Sequence, residues 1–399
     1  MTRWLPQEQW RRNRLAINIT AALVFAGFTF VMPFLPLYVR ECGVADEADV
    51  ASWAGLLITI SPLIAALMAP VWGRLGDRYG MKSMVERATL AMTVHWGLFG
   101  FARSVYELAG LRVVLGLFGG FGTISMPMLV ASTPKEHMSR SIGMLQTVQI
   151  VSAAVGPMAG GALADSFGIR KTCLVSAAFS LSALIMINRL YRETPAEERA
   201  GAAAPGGSRM TLRQALTLPS FGVLATLMFC VSFVERSFAP VLPLYVQALG
   251  TATHVAKTAG LILSLGLLSE AVSATVMGNR LRKVPARRLL LWRLGGGVIA
   301  CLPMGLVTGT GQLLVLRVVL GLLAGGCMVV VYTLGSQIIP AETRATSFSL
   351  LSSAALLGGA LGPVAAGGLA HLSIRAIFFF NSLVCALLFV ASWKRLPRF

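Results

Sequence analysis

The sequence predicts an all-α polytopic membrane protein, with twelve transmembrane helices arranged as two pseudo-symmetric six-helix bundles. Three observations carry this expectation. Of 399 residues, 56% are hydrophobic and only 13% charged, against roughly 25% charged in a soluble globular protein. The mean hydropathy is +0.74. The apolar residues fall into twelve runs, each near the ~20 residues that cross a bilayer. The second half of the chain repeats the first.

In order, the runs lie at 15–39, 52–72, 84–102, 106–129, 142–163, 170–190, 220–246, 258–277, 289–307, 310–333, 346–370 and 374–393. The first follows a basic, amphipathic start, Met1 to Arg14, and lacks a small-residue cleavage site. It reads as a span and not as a removed signal peptide. The longest connection, 191–219, contains Gly201-Ala-Ala-Ala-Pro205-Gly-Gly-Ser208 and reads as a flexible cytoplasmic linker. The expected organisation is a bundle at 1–190, the linker at 191–219, and a bundle at 220–399.

The net charge of +18 comes from 34 Lys and Arg against 16 Asp and Glu. These charges sit in short segments between apolar runs, the pattern of topology signals rather than of a nucleic-acid surface. With the N-terminus on one side, that side holds 25 of the 34, the other holds 6, and Arg112, Arg236 and Arg317 lie within spans. Both termini are therefore expected in the cytoplasm of a bacterium, with the chain in its inner membrane. Five of the six cysteines lie inside apolar runs without CxxC spacing and read as packing residues.

The repeat is explicit. Pro33-Phe-Leu-Pro-Leu-Tyr-Val39 returns as Pro240-Val-Leu-Pro-Leu-Tyr-Val246, and Leu111-Arg-Val-Val-Leu-Gly-Leu117 as Leu316-Arg-Val-Val-Leu-Gly-Leu322. Gly156-Pro-Met-Ala-Gly-Gly161 returns around Gly362-Pro363, and Ile169-Arg170 as Ile374-Arg375. Duplicated bundles of this kind place a substrate near the midplane and alternate access by rocking.

The loop after the second run, Gly73-Arg-Leu-Gly-Asp77-Arg-Tyr-Gly80-Met-Lys82, resembles the signature loop of the major facilitator superfamily. Its glycines allow a tight turn. The resemblance implies a cytoplasmic latch built from Gly73, Gly76, Asp77, Arg78, Gly80 and Lys82. The second copy, from Gly278 to Arg288, lacks the acid. Arg112 with Gly116 resembles the family's Arg-x-x-x-Gly pattern, which implies a part in proton coupling. The other reading is an arginine snorkelling to the outer interface. Gly156, Pro157, Gly160 and Gly161 resemble the antiporter motif of the twelve-span drug:proton branch, which implies export. By themselves they are small residues that let helices approach closely.

Ionisable groups inside spans mark functional sites. The seventh run carries Glu235 and Arg236, and the eighth Glu270. Adjacent helical residues point about 100° apart, so Glu235 and Arg236 cannot both face one narrow cavity. Either Arg236 pairs with Glu270 and leaves Glu235 facing the cavity, or Arg236 is buried beside Glu235. Low dielectric disfavours a charged carboxylate, which suits proton uptake and release; a static ion pair is the blander reading. The first span carries no acid, unlike many drug:proton antiporters. Polar groups expected along the substrate cavity are Glu235, Arg236, Gln146, Gln149 and Tyr332, while His95 and Asn381 read as interhelical hydrogen-bonding groups.

The sequence holds no Walker loop, no grouped histidines and no metal-ligand spacing. The expectation is a monomeric secondary transporter with no catalytic residue, cofactor or resident metal, and no nucleic-acid partner. It would export a drug-like compound or a self-made metabolite such as a siderophore in exchange for protons. The alternatives are an importer of the same fold and a non-transporting receptor or scaffold.

Overall fold

The structure is a computed structural model that describes residues 9–193, 221–251, 253–281, 283–339 and 344–396; of Gly73 and Asp77 only the helical backbone is described. The linker expected at 191–219 lies almost wholly outside the described residues. Among them there is no β-strand.

Contacts divide the chain into two compact units, Met1–Gly43 with Ile60–Ala204, and Val44–Thr59 with Pro205–Phe399. The first contains α1 (Gln9–Val31), α2 (Leu35–Glu41), most of the inner part of α3 (Glu47–Tyr79), α4 (Met81–Phe99), α5 (Val105–Phe118), α6 (Phe121–Ala131), α7 (Met138–Phe167) and α8 (Ile169–Leu190). The second contains the start of α3, then α9 (Phe221–Ser237), α10 (Leu242–Ala248), α11 (Val255–Arg280), α12 (Ala286–Met304), α13 (Thr310–Ala324), α14 (Cys327–Ile338), α15 (Arg344–Ala370) and α16 (Ala376–Arg395).

Every one of the twelve apolar runs is helical, as one helix or a broken pair. Among the described residues, eight helices are long and apolar enough to cross a membrane, or nine when α9 and α10, bent by 44°, count as one span. The runs at 84–102 and 289–307 form shorter helices with charges near their starts (Lys82, Glu86 and Arg87; Arg287, Arg288 and Arg293). The run at 106–129 is split between α5 and α6.

The breaks repeat with the sequence. Prolines lack the N–H that continues a helix, so the two Leu-Pro-Leu-Tyr-Val copies start new short helices, α2 and α10. Each copy is then anchored by its tyrosine. Tyr38 Oη donates to the Phe99 carbonyl at 2.5 Å, and Tyr245 Oη to the Met304 carbonyl at 2.9 Å. Glycine pairs split the fourth and tenth runs, with Gly120 at φ 94° and Gly326 at φ 79°, a left-handed conformation that favours residues without a Cβ.

The antiporter-motif glycines set the packing of the first unit. α7 stays helical through Pro157. A Cβ at Gly156 would collide with Thr29 Oγ1, and one at Gly160 with the Phe30 backbone, both on the first span. Gly161 is buried. In the second unit Gly358 and Gly362 of α15 abut the backbones of Phe229 and Phe233 on α9 in the same way. Within that unit the start of α3 also meets α15, where Thr59 Oγ1 donates to the Ala360 carbonyl at 2.5 Å and Ser52 Oγ to Gly367 at 3.1 Å.

Candidate functional site: a carboxyl pair in the second bundle

In the second unit, α9, α11, α12, α13, α14 and α16 enclose a cavity of about 50 Å³. Glu235, Glu270, Arg293 and Arg317 supply its charged lining, and Phe238, Val234 and Leu320 are among its apolar walls. Helices come this close because the facing residues are small. A Cβ at Gly321 would collide with Ser269 Oγ, and one at Gly325 would lie 2.9 Å from the Glu270 Cα.

Glu235 and Glu270 both line this cavity, and the charge of Glu270 acts on Glu235. The arrangement is a pair of carboxyls in one cavity. The expected Arg236–Glu270 pair does not form, and Arg236 is not buried beside Glu235 either: its side chain is exposed. The ~100° step between neighbours sends Glu235 into the cavity and Arg236 away from it, with Gly359 leaving room for the Arg236 stem, 3.4 Å from where a Cβ would stand.

Arg293 is held in place. Its Nη1 donates to Ser273 Oγ at 2.6 Å, to the Leu323 carbonyl at 3.1 Å and to the Leu322 carbonyl, and its Nη2 meets Met277 Sδ at 3.0 Å. Arg317 is 4% exposed and lies over the Phe238 ring at 5.1 Å.

The first unit has the matching arginine without the acids. Arg112 is fully enclosed, which excludes snorkelling to the interface. Its Nη2 meets Met32 Sδ at 3.0 Å, and its guanidinium lies 5.9 Å from the Phe28 ring. Gly116 faces the Ser61 carbonyl as Gly321 faces that of Gly266. By the same offsets, Phe28 and Ala65 stand where the second half has Glu235 and Glu270. His95 is buried beside Trp96 and binds the Leu111 carbonyl at 3.1 Å.

The other expected site residues do not join this cavity. Gln146 is exposed and Gln149 partly buried on α7. Tyr332 Oη shares a hydrogen bond of 2.9 Å with Ser352 on α15. Asn381 donates to Ser237 Oγ at 2.9 Å. In the loop motif, Gly80 takes φ 91° and a Cβ there would run into the Glu193 carboxylate. Lys82 Nζ donates to the Asn188 carbonyl at 3.0 Å, and Arg78 lies over Tyr79 at 5.3 Å. Gly76 packs on Met81 and Met84. The Asp77 side chain lies outside the described residues.

A grouping the sequence spacing did not suggest is Asp46, Asp49 and His371, exposed, with ligand atoms within 4.8 Å of one another. Its groups are already engaged. Asp46 accepts from the Ala48 and Asp49 N–H groups at 3.0 Å, and His371 shares a 3.0 Å hydrogen bond with Ser52.

Comparison with known proteins places this geometry in a family. The model of the Major Facilitator Superfamily matches residues 17–312 and 224–399. The multidrug resistance protein MdtG of Escherichia coli O81 is 30% identical over 401 residues, covering 98% of this chain and 96% of that protein. A multi-drug resistance efflux pump PmrA homolog of Lactococcus lactis is 33% identical over 379 residues, covering 94% and 92%. Among solved structures, a bacterial homolog of the human lysosomal transporter Spinster, in an inward-facing conformation, superposes with a TM-score of 0.78 at 18% identity over 98% of both chains. A D-xylose-proton symporter does so at 0.74 and 15% identity, over 96% of this chain and 98% of that one. The duplicated twelve-run sequence, the repeated breaks and the near-full-length matches agree: the chain is a multi-pass membrane protein of the major facilitator superfamily, in its multidrug-efflux branch.

Proposed function

We propose that the protein exports a small organic molecule in exchange for protons by alternating access, with the Glu235–Glu270 pair as the proton carrier. The observation that carries this reading is the pair of carboxyls that share a cavity of about 50 Å³. A drug-sized ligand needs roughly 300–1,000 Å³. The cavity suits protons and one or two waters, so proton and substrate occupy separate places. Export is supported by the antiporter-motif glycines and by the names of the relatives.

Glu235 serves the carrier through the cavity. Arg236, Gln146, Gln149 and Tyr332 are assigned to the substrate path, where an exposed guanidinium in mid-span is costly against lipid and belongs against water or substrate. Arg112 holds a fixed positive charge in the first bundle, consistent with the supporting part in coupling that the motif implies. The loop from Gly73 to Lys82 is the cytoplasmic latch. The substrate is a drug-like compound or a self-made metabolite such as a siderophore.

The test compares a deletion strain with an overexpressing strain for intracellular retention of antibiotics, dyes and secreted iron chelators. Export predicts lower retention of at least one of them on overexpression. Equal retention throughout overturns the reading, and higher retention indicates import.

A further inference from the structure

The second copy of the loop motif carries no acid, and a cavity opens beside it. Gly73-Arg-Leu-Gly-Asp77 aligns with Gly278-Asn-Arg-Leu-Arg282, so an arginine stands where the first copy has Asp77. From Ala271 to Phe399 the chain holds one acid, Glu342, against twelve Lys and Arg. The helices that follow the two copies begin differently. The first N–H groups of a helix have no acceptor within it, and its positive end favours an anion. At the start of α4 the Lys82 N–H meets Glu193 Oε1 at 3.5 Å, and Gly80, the residue before the helix, leaves that carboxylate its room. At the start of α12 the corresponding residue is Pro285, and no side chain caps the helix.

The cavity at this end measures about 210 Å³, against the ~10–15 Å³ that holds one water. Its lining is Pro285, Ala286 and Arg287 from α12 with Leu334 and Gln337 from α14. Arg287 is held at one end: Nη2 donates to the Trp393 carbonyl at 2.5 Å, and the guanidinium lies over the Trp393 ring at 5.5 Å. Its Nε is shut off from solvent and has no hydrogen-bond partner. Arg288 lies over Trp292 at 4.9 Å. The ion pairs among the described residues lie elsewhere, at Lys82–Glu86, Arg170–Glu41 and His371–Asp49. Trp292 and Trp393 are both exposed, as tryptophans are at the level of lipid headgroups.

We propose that this cavity binds the phosphate headgroup of an anionic phospholipid. Arg287, Gln337 and the first N–H groups of α12 supply the donors, and the exposed tryptophans flank the acyl chains. Basic pockets between spans bind anionic headgroups in this way. A soluble phosphate compound offers the same anion but leaves the two tryptophans without a partner. The first bundle fills the matching helix end with its own Glu193, so the lipid site belongs to the second bundle alone. The inference stands apart from proton coupling and from the direction of transport.

The test titrates the purified full-length protein, in a nonionic detergent, with phosphatidylglycerol or phosphatidylcholine and counts bound lipid by native mass spectrometry. The wild type should bind one phosphatidylglycerol in preference to phosphatidylcholine. Arg287→Gln should weaken that binding about fivefold or more, while Lys394→Gln, which removes an exposed cation outside the cavity, should change it much less. Gln337 is exposed, so Gln337→Glu puts a negative charge at the cavity in a protein that still folds, and it too should weaken binding about fivefold or more. No preference for phosphatidylglycerol overturns the proposal. So does an equal loss in Arg287→Gln and Lys394→Gln, which would mean general attraction to a basic surface, or wild-type binding in Gln337→Glu. Displacement of the lipid by an equal concentration of glycerol 3-phosphate would assign the cavity to a soluble ligand and overturn it as well.

Discussion

Two neighbouring residues on α9, Glu235 and Arg236, are sent to different surroundings by the helical step between them. Glu235 shares a cavity with Glu270 inside the bundle, and Arg236 is turned outward. If the two carboxyls act as one proton carrier, their substitutions are not additive. Glu235→Gln and Glu270→Gln should each bring dye export in proteoliposomes to the background of empty vesicles, and the double variant should be no worse than either alone. Additive partial losses would mean two independent sites. The presence of both acids was legible in the sequence, because charges in apolar runs stand out. Their meeting was not. Periodicity fixes the angle between residues on one helix and says nothing about which helix stands opposite, so the sequence offered Arg236 either as the partner of Glu270 or as buried beside Glu235. Arg317 was visible as the repeat of Arg112, yet its place in the same cavity as the acids depends on Gly266, Gly321 and Gly325, whose effect appears only when α11 and α13 are packed together.

At the scale of elements, small residues determine how close helices come. Gly160 on α7 and Gly362 on α15 each touch the backbone of the helix that opens their half. Gly160→Val and Gly362→Val should each destabilise the protein by about 1–3 kcal/mol through overpacking, read as earlier thermal unfolding in detergent. Gly143 on the same helix as Gly160 has open space around it, so Gly143→Ala should be neutral or stabilising by up to about 1 kcal/mol. Gly80→Ala faces both a positive φ and the Glu193 carboxylate and should cost about 1–2 kcal/mol for the backbone alone. The sequence displayed these glycines as repeated motifs. The broken spans were written in it too, as Pro33 and Pro36, Pro240 and Pro243, Gly119-Gly120 and Gly325-Gly326, but apolar runs average over such breaks and read as continuous.

Over the whole molecule, the duplicated frame is occupied unequally. Arginine, glycine and tyrosine anchors recur in both halves, while the membrane-embedded acids occur in the second only. The twelve runs and the repeat were evident from hydropathy and letter matches, since both are properties of the chain alone. The grouping of Val44–Thr59 with the second unit was not, because it depends on Ser52 and Thr59 finding carbonyls more than 300 residues away in sequence.

The central claim is that protons entering through the second bundle drive the substrate outward. The most direct measurement is dye accumulation in proteoliposomes, followed under an imposed pH gradient, with and without a protonophore. The account predicts uphill dye movement opposite to the proton flow, collapse of that movement by the protonophore, and loss of it in Glu235→Gln. Uphill movement that persists without the gradient, or at the wild-type rate in Glu235→Gln, would contradict it.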